Sequence, residues 1–203
     1  MNTNKQRPRQ KLIILFSGKR KTNRDYLASA LLSQLDESVA EIVRICEPVK
    51  KRWTKKMALK DDDLLGVVNE SSILIAGTFK VQYQKEMIIW SDKVRAQLPT
   101  FFCSEAFRSA EKPITIVSDI RHYTEMDYFN NFNIPLLAVR VDGSDEKRKK
   151  RGWVFTKGID DTKTECELDD FNDWDYVIDS DTRGNAENIF ENIKCHVNFI
   201  LNT

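Results

Sequence analysis

Short apolar runs alternate along the chain with longer segments in which apolar residues recur every three or four positions. The first run, Leu12 to Phe16, is continuously apolar, which is typical of a strand covered on both faces. The predicted strands are Leu12–Phe16, Ala40–Ile45, Ile114–Val117, Leu136–Val141 and Tyr176–Ile178. Because helical segments separate them, the pattern predicts an α/β fold with a five-stranded parallel sheet between two layers of helices.

Helical spacing is clear in several of the intervening segments. Leu27, Leu31 and Leu35 lie on one stripe after the first strand, and a longer pattern runs from Phe79 to Leu98. The other predicted helices are Val49–Ala58, Phe101–Ala110, Glu125–Phe132, a short one between Ser144 and Arg151, and a C-terminal one around Ile189–Ile200. The run Ser72–Ala76 fits either a buried strand or part of a helix.

Length and charge narrow the class of protein. A chain of 203 residues is long enough for one domain with a substantial core. We expect a disordered basic arm over residues 1–10, followed by a single domain over 11–203. The formal net charge of +1 disfavours a non-specific nucleic-acid binder, so no nucleic-acid partner is expected.

Cysteine usage and hydropathy bear on the compartment. Four dispersed cysteines and two histidines have neither the spacing of a zinc site nor that of a disulfide framework. Without a signal peptide or an apolar run long enough to span a bilayer, we expect a soluble cytosolic protein with no membrane insertion. A peroxisomal location stays open, although Leu201–Thr203 does not match the Ser-Lys-Leu signal.

Charged residues are clustered in the sequence. Lys5–Lys21 and Lys147–Arg151 are basic, and Asp160–Asp181 is acidic. This clustering fits a local anion site with a counter-charged segment nearby. Ser144 begins the short helix that carries the second basic run, and Gly152 follows it as a hinge, which fits a mobile lid that closes on phosphates. The alternative is that most of these charges are solvated faces.

The segment after the first strand has the layout of a phosphate-binding turn. Ser17 and Gly18 end the strand, and four cations lie within the next six residues. Backbone N–H groups and the helix dipole favour an anion at such a turn. The motif G-x-x-x-x-G-K-[ST] would have Gly, Lys and Ser/Thr where this chain has Asn23, Arg24 and Asp25. Asn23 can adopt the left-handed conformation that glycine would have, Arg24 keeps the positive charge of lysine, and Asp25 offers a carboxylate to Mg²⁺. The alternative is that this segment is a solvated basic loop.

A second group of polar residues, Ser118–His122, follows the third predicted strand. Ligands of open α/β sheets bind at the carboxyl edge of the strands, which makes Asp119 and Arg121 candidate site residues. The alternative is that Asp119 caps the next helix and that Arg121 lies on the surface.

The sequence resembles the animal-type phosphomevalonate kinase family. The residues that carry the resemblance are Phe16–Lys21 with Asp25, Phe101–Cys103, Val117–Asp119, Arg151–Thr156, Glu165–Cys166 and Leu168–Ile178. The resemblance covers the chain from about Lys11 to Asp179, and the run Arg-Gly-Trp-Val-Phe-Thr is its most distinctive part. It implies a P-loop fold like that of nucleoside monophosphate kinases. It also implies transfer of the γ-phosphoryl group of Mg-ATP to (R)-5-phosphomevalonate, giving 5-diphosphomevalonate and ADP, in the mevalonate pathway to isoprenoids and sterols.

The resemblance further implies roles for individual residues. ATP would be bound by Lys19, Arg20, Lys21, Thr22, Asn23, Arg24, Asp25, Arg148 and Arg151. The substrate-binding residues would be Lys50, Lys80, Arg95, Arg121 and Arg140, together with Ser180 and Asp181 in a nucleotide-contacting segment. Arg24, Asp25, Asp119 and Arg151 would be catalytic, and Asp25 would hold Mg²⁺. The acceptor-binding region would span about 48–100 and the lid about 142–160, in a protein expected to be a monomer.

Three hypotheses follow from these observations. The first is an active phosphomevalonate kinase, and the second is a ligand-binding or regulatory member of the family with little or no turnover. Asn23 and Arg24 favour the second, because the family has Gly and Lys at these positions. The third is a nucleoside monophosphate kinase, which the cations on the acceptor side disfavour because a nucleobase needs a flat, neutral pocket. A kinase of either kind requires the turn after Phe16 and the basic helix before Gly152 to meet around one polyphosphate.

Overall fold

Five parallel strands form the centre of the molecule. The computed structural model describes residues 10–57 and 73–202, except for the side chains of 73–80. The strands are β1 (Leu12–Gly18), β2 (Ala40–Val43), β3 (Ile114–Ile120), β4 (Leu136–Asp142) and β5 (Tyr176–Asp179). They pair in the order β2-β3-β1-β4-β5, and each pairing is parallel. The predicted parallel sheet is therefore confirmed.

Helices cover both faces of this sheet. They are α1 (Arg24–Leu32), α2 (Cys46–Lys56), α3 (Ile73–Gln97), α4 (Phe101–Phe107), α5 (Tyr123–Asn130), α6 (Asp145–Lys150), α7 (Lys163–Cys166) and α8 (Asn185–Asn202). Alternate residues of β1 belong to two separate apolar clusters. Leu12, Ile14 and Phe16 pack with residues of α1 and α8, whereas Ile13 and Leu15 pack with residues of α4 and α5. The two clusters confirm the three-layer α/β/α arrangement.

Several element boundaries differ from the prediction. The second strand ends at Val43 instead of Ile45, because the backbone N–H groups of Ile45 and Cys46 bind Asp119 and start α2 three residues before Val49. Pro48 then lies in the first turn of α2, where its missing N–H costs no helical hydrogen bond. The undecided run at 72–76 is helical from Ile73 onward, while position 72 and the predicted helix end at 58 lie outside the described residues.

The start of the domain lies one residue earlier than predicted. Gln10 is buried, and its Nε2 donates to the carbonyl of Ala110 at 3.0 Å, so it belongs to the packed domain and not to the arm. The remainder of the predicted arm, residues 1–9, lies outside the described part of the chain. None of the helices in that described part combines the length and the apolar composition that a bilayer crossing requires.

Parallel strands bring the carboxyl ends of β1, β3 and β4 to one edge of the sheet. Gly18 of β1 pairs with Val141 of β4, and Ser17 pairs with Ile120 of β3. The connection from β1 to α1, the residues after β3 and the start of α6 consequently converge at this edge.

Candidate active site

The β1–α1 loop, residues 19–23, is a tight turn that depends on a glycine before it. A Cβ on Gly18 would lie 2.5 Å from the carbonyl oxygen of Val141 and 2.9 Å from Oγ1 of Thr22. Thr22 is buried, and its hydroxyl donates to the carbonyl of Lys19 at 2.9 Å. The neighbouring strand and the threonine thus leave room only for glycine.

Asn23 has the left-handed conformation, with φ 68° and ψ 17°. Its side chain makes no capping hydrogen bond, and its carbonyl accepts from the N–H of Leu27 at 2.9 Å as α1 begins. Asn is among the few residues that adopt this conformation without a large steric penalty. This conformation is the one that the sequence analysis expected Asn23 to tolerate.

The side chain of Arg24 turns back into the loop and is buried. Its Nη1 donates to the carbonyl of Gly18 at 3.0 Å, and its Nη2 lies 3.2 and 3.3 Å from the two carboxylate oxygens of Asp25. The buried Nε has no hydrogen-bond partner. Burial, together with the positive charge of Arg121, lowers the pKa of Arg24 despite the nearby carboxylates of Asp25 and Asp119.

The basic helix α6 lies directly against the β1–α1 loop. Nε of Arg148 donates to the carbonyl of Arg20 at 2.9 Å, and the Arg148 guanidinium lies 4.0 Å from the centroid of the Trp153 ring. Arg151 donates to the carbonyl of Lys21 at 3.3 Å and to the carbonyl of Ser180 at 3.0 Å. The two cationic segments therefore meet, as the kinase hypotheses require.

Three cavities surround the loop, and we name them by position. The loop cavity, of about 320 Å³, is lined by Lys19, Arg20, Lys21, Asn23, Arg24, Asp25, Tyr26 and Arg121. The lid-side cavity, of about 500 Å³, has lining residues that include Lys19, Thr22, Arg140, Gly143, Arg148 and Asp181. The helix-side cavity, of about 240 Å³, has lining residues that include Arg24, Lys50, Arg95, Asp119, Arg121 and Glu165. Arg24, Asp25 and Arg121 line both the loop cavity and the helix-side cavity.

The predicted substrate-binding residues divide between two of these cavities. Lys50, Arg95 and Arg121 come together in the helix-side cavity, from α2, α3 and the residue after β3. Arg140 lines the lid-side cavity, where its guanidinium contacts Asp142 at 3.0 Å and Asp169 at 3.3 Å. The segment that follows β5 joins the same side of the site, because Asp181 lines the lid-side cavity and Ser180 binds Arg151. The side chain of Lys80 lies outside the described residues.

Asp119 forms the N-terminal support of α2. Its two carboxylate oxygens accept from the backbone N–H groups of Ile45 and Cys46, each at 2.7 Å. Asp119 thus caps α2, which is distant in sequence, and not the following helix α5. Burial and the Asp119 carboxylate raise the pKa of the Cys46 thiol to about 12.

The acidic segment supplies counter-charges to the loop, as expected for the counter-charged part of the clustered pattern; the anion site itself stays a prediction. Asp160 lies 3.0 Å from Nη1 of Arg20, and Asp169 lies 2.6 Å from Nζ of Lys19. Glu165 accepts from the backbone N–H of Arg20 at 2.8 Å and also from the guanidinium of Arg121. Sequence reasoning identified the acidic stretch but none of these three carboxylates as site residues. The Glu165–Cys166 match was the one signal that pointed to Glu165.

A magnesium site would have to be completed by the substrates. Within residues 10–57 and 73–202, no cluster of three or more His, Cys, Asp or Glu side chains could hold a metal ion. Mg²⁺ in phosphoryl-transfer sites needs only one or two carboxylates, because phosphate oxygens and water supply the other ligands. The Asp25 carboxylate is 60% exposed and lines the loop cavity, so it fits that requirement.

The fold and the site have the arrangement typical of P-loop kinases: a parallel sheet, a cationic turn between β1 and α1, and a basic helix, α6, against that turn. Residues 16–135 match the sequence profile of the family described as phosphomevalonate kinase. The chain is also 39% identical, over 184 residues, to the phosphomevalonate kinase of Drosophila melanogaster, and the match covers 87% of this chain and 92% of that protein. The chain therefore belongs to the phosphomevalonate kinase family.

One solved structure supports the fold. The crystal structure of TT1252 from Thermus thermophilus superposes with a TM-score of 0.51 at 14% identity, over 92% of this chain and 98% of that chain. At that level of identity the likeness concerns the fold alone.

Proposed function

We propose that this protein transfers the γ-phosphoryl group of ATP to phosphomevalonate, giving diphosphomevalonate and ADP. Family membership supports this reaction, and one geometric observation in the site supports it as well. Arg24, Asp25 and Arg121 line the wall between the loop cavity and the helix-side cavity. An arginine at that junction faces two anions at once, which is the arrangement that phosphoryl transfer needs.

On the donor side, the β1–α1 loop and residues 19–25 bind the ATP phosphates. Arg148 and Arg151 bind them from a lid that spans about 142–160. Thr22 shapes the loop, and Arg140, Ser180 and Asp181 extend the donor site along the lid-side cavity. In this arrangement Arg140 serves the nucleotide, because it lines the cavity that Lys19 and Arg148 share.

Mg²⁺ accompanies ATP, and Asp25 is the residue of this chain that would hold it. The bound ion would neutralise developing charge on the phosphate oxygens. The contribution of the chain is positional, because Arg24 holds the Asp25 carboxylate at the N-terminus of α1.

On the acceptor side, Lys50, Arg95 and Arg121 bind the phosphate and carboxylate groups of phosphomevalonate, within a region of about 48–100 and the end of β3. Lys80 belongs to the same set by resemblance. Asp119 supports this side through α2, since both of its oxygens bind the backbone at the start of that helix. The four cations that line this cavity, Arg24, Lys50, Arg95 and Arg121, suit a small acid with one phosphate and one carboxylate group better than a nucleobase.

The reaction places the protein in the mevalonate pathway to isoprenoids and sterols. We further propose that it acts as a monomer in the cytosol, as the sequence analysis expects. The pathway, the oligomeric state and the location are all proposed from the sequence.

The decisive assay measures ADP release from Mg-ATP in the presence of phosphomevalonate, AMP, CMP or UMP. We expect turnover with phosphomevalonate alone. Turnover with a nucleoside monophosphate would replace the proposal with a nucleoside monophosphate kinase. Absence of turnover with all four acceptors would favour a binding or regulatory protein. Activity of the double variant Asn23→Gly/Arg24→Lys would then further support a binding or regulatory protein that has lost turnover.

A further inference from the structure

Glu165 in α7 is a buried carboxylate that contacts both halves of the site. Its side chain is 4% exposed. One oxygen accepts from the backbone N–H of Arg20 at 2.8 Å, and the other accepts from Nη1 of Arg121. Arg20 belongs to the β1–α1 loop, whereas Arg121 lines the helix-side cavity, so one side chain joins the donor loop to the acceptor cations.

Arg121 depends on Glu165 for its orientation. The same Nη1 atom also donates to the carbonyl of Thr164 at 3.1 Å, so α7 holds this end of the guanidinium by two acceptors. Burial disfavours the charge of Arg121, but the carboxylates of Glu165, Asp119 and Asp25 outweigh it and raise the pKa of this residue. Arg121 is therefore a fixed, permanently charged donor on the wall between two cavities.

Arg20 in turn contacts the basic helix α6. Its side chain binds Asp160 at 3.0 Å, and its carbonyl accepts from Nε of Arg148 at 2.9 Å. A carboxylate that fixes the Arg20 peptide thus also fixes the point at which the lid arginine meets the loop.

We infer that Glu165 is a positioning residue for phosphoryl transfer, which holds Arg121 toward the acceptor and the Arg20 peptide toward the donor in one register. The inference rests on the proposed function and assigns Glu165 no contact with either substrate. In-line transfer is sensitive to small displacements, because the barrier depends on the alignment of the reacting groups. A neutral amide has only one acceptor oxygen, so glutamine at this position keeps one contact and loses the other.

The test compares Glu165→Gln with Glu105→Gln, a matched control. Like Glu165, Glu105 accepts hydrogen bonds at both carboxylate oxygens, in its case from the guanidinium groups of Arg52 and Arg108, but it lies in α4 and lines none of the three cavities. At saturating ATP, we expect Glu165→Gln to lower kcat/KM for phosphomevalonate by about tenfold or more, as for the loss of one charge-assisted hydrogen bond. Glu105→Gln should leave it unchanged, and thermal unfolding of both variants controls for stability.

A double variant tests whether Glu165 affects kcat/KM through Arg121. If Glu165 acts through Arg121, the variant Glu165→Gln/Arg121→Lys should have the same kcat/KM as the poorer single variant. A kcat/KM of Glu165→Gln within about twofold of the wild type, or effects that multiply in the double variant, would overturn the inference.

Two further measurements keep the inference separate from the proposed function. If the wild type binds phosphomevalonate without turnover, the proposed function fails, but titration calorimetry still tests the role of Glu165. We then expect Glu165→Gln to bind phosphomevalonate about tenfold more weakly than the wild type. Equal binding would refute the inference. If Glu165→Gln does not fold, Glu165→Asp replaces it, because the shorter carboxylate cannot reach both Arg20 and Arg121. An unchanged kcat/KM in Glu165→Asp would again overturn the inference.

Discussion

Burial and the charge of Arg121 disfavour the charged form of Arg24, although Arg24 lines both the loop cavity and the helix-side cavity. The variant Arg24→Met tests whether this arginine serves the stability of the protein or its activity. Methionine has a similar length and no charge, and it fits the same buried space. The substitution removes the donor to the Gly18 carbonyl, the contact with Asp25 and the unpartnered Nε atom. If Arg24 is present for chemistry, the variant should remain folded and lose activity.

The structure sets the expected size of both effects. Burying a guanidinium costs several kcal/mol, whereas its hydrogen bond to a carbonyl contributes about 1.5–3 kcal/mol. The contact with Asp25 contributes at most about 1 kcal/mol, because that carboxylate is 60% exposed. Replacement of a buried charge by an apolar side chain is commonly neutral or stabilising, so we expect the free energy of unfolding to stay within about 1 kcal/mol or to rise. Loss of a charged donor to the moving phosphoryl group should lower kcat by about 100-fold or more.

Urea unfolding and steady-state ADP release measure the two quantities on the same samples. Arg108→Met is the control, because Arg108 is 75% exposed and lines none of the three cavities. It should change neither stability nor kcat appreciably. A loss of about 3 kcal/mol or more in Arg24→Met with kcat retained would refute the reasoning and make Arg24 a structural residue of the loop.

Three more substitutions or treatments probe the lid side and the thiols. Arg151→Ala should lower kcat by about tenfold or more without unfolding the protein, as measured by ADP release and circular dichroism; an unchanged kcat would remove Arg151 from the site. Gly143→Ala should raise the KM for ATP, because its Cβ would lie 2.6 Å from Oγ of Ser180, and the added Ser180→Ala should restore it if that contact is the cause. In alkylation with iodoacetamide at pH 8 followed by mass spectrometry, the exposed Cys195 should react well before Cys46, whose pKa burial raises to about 12; equal rates would contradict that shift.

The fold could be predicted from hydrophobic spacing because each strand is short, apolar and followed by a helical pattern. β1, β3 and β4 are buried along nearly their whole length, so their apolar runs were unmistakable. Their polar ends were missed: β1 continues to Gly18 and β3 to Ile120, since pairing with neighbouring strands extends past the apolar residues. The start of α2 could not be predicted, because it depends on Asp119, more than 70 positions away in sequence.

The site was predictable where one short segment supplies it and unpredictable where distant segments meet. Local rules anticipated the turn at Asn23, because the left-handed preference of Asn depends on its own backbone. Which cations share a cavity depends on tertiary packing, so Arg140 joined Arg148 and not Arg95. Glu165 was missed for the same reason, since its partners lie 145 and 44 positions away.

The departures from the P-loop motif keep a residue that tolerates the left-handed conformation before α1 and change the chemistry of one side chain. Asn23 adopts the left-handed conformation, and Arg24 reaches the Gly18 carbonyl. Lysine would present a single ammonium there, free to move from carbonyl to phosphate, whereas two of the guanidinium nitrogens of Arg24 already bind protein oxygens. We therefore expect turnover in this chain to depend on how readily Arg24 exchanges these oxygens for phosphate. An active kinase and a weakly active relative would differ in that exchange, and not in the shape of the loop.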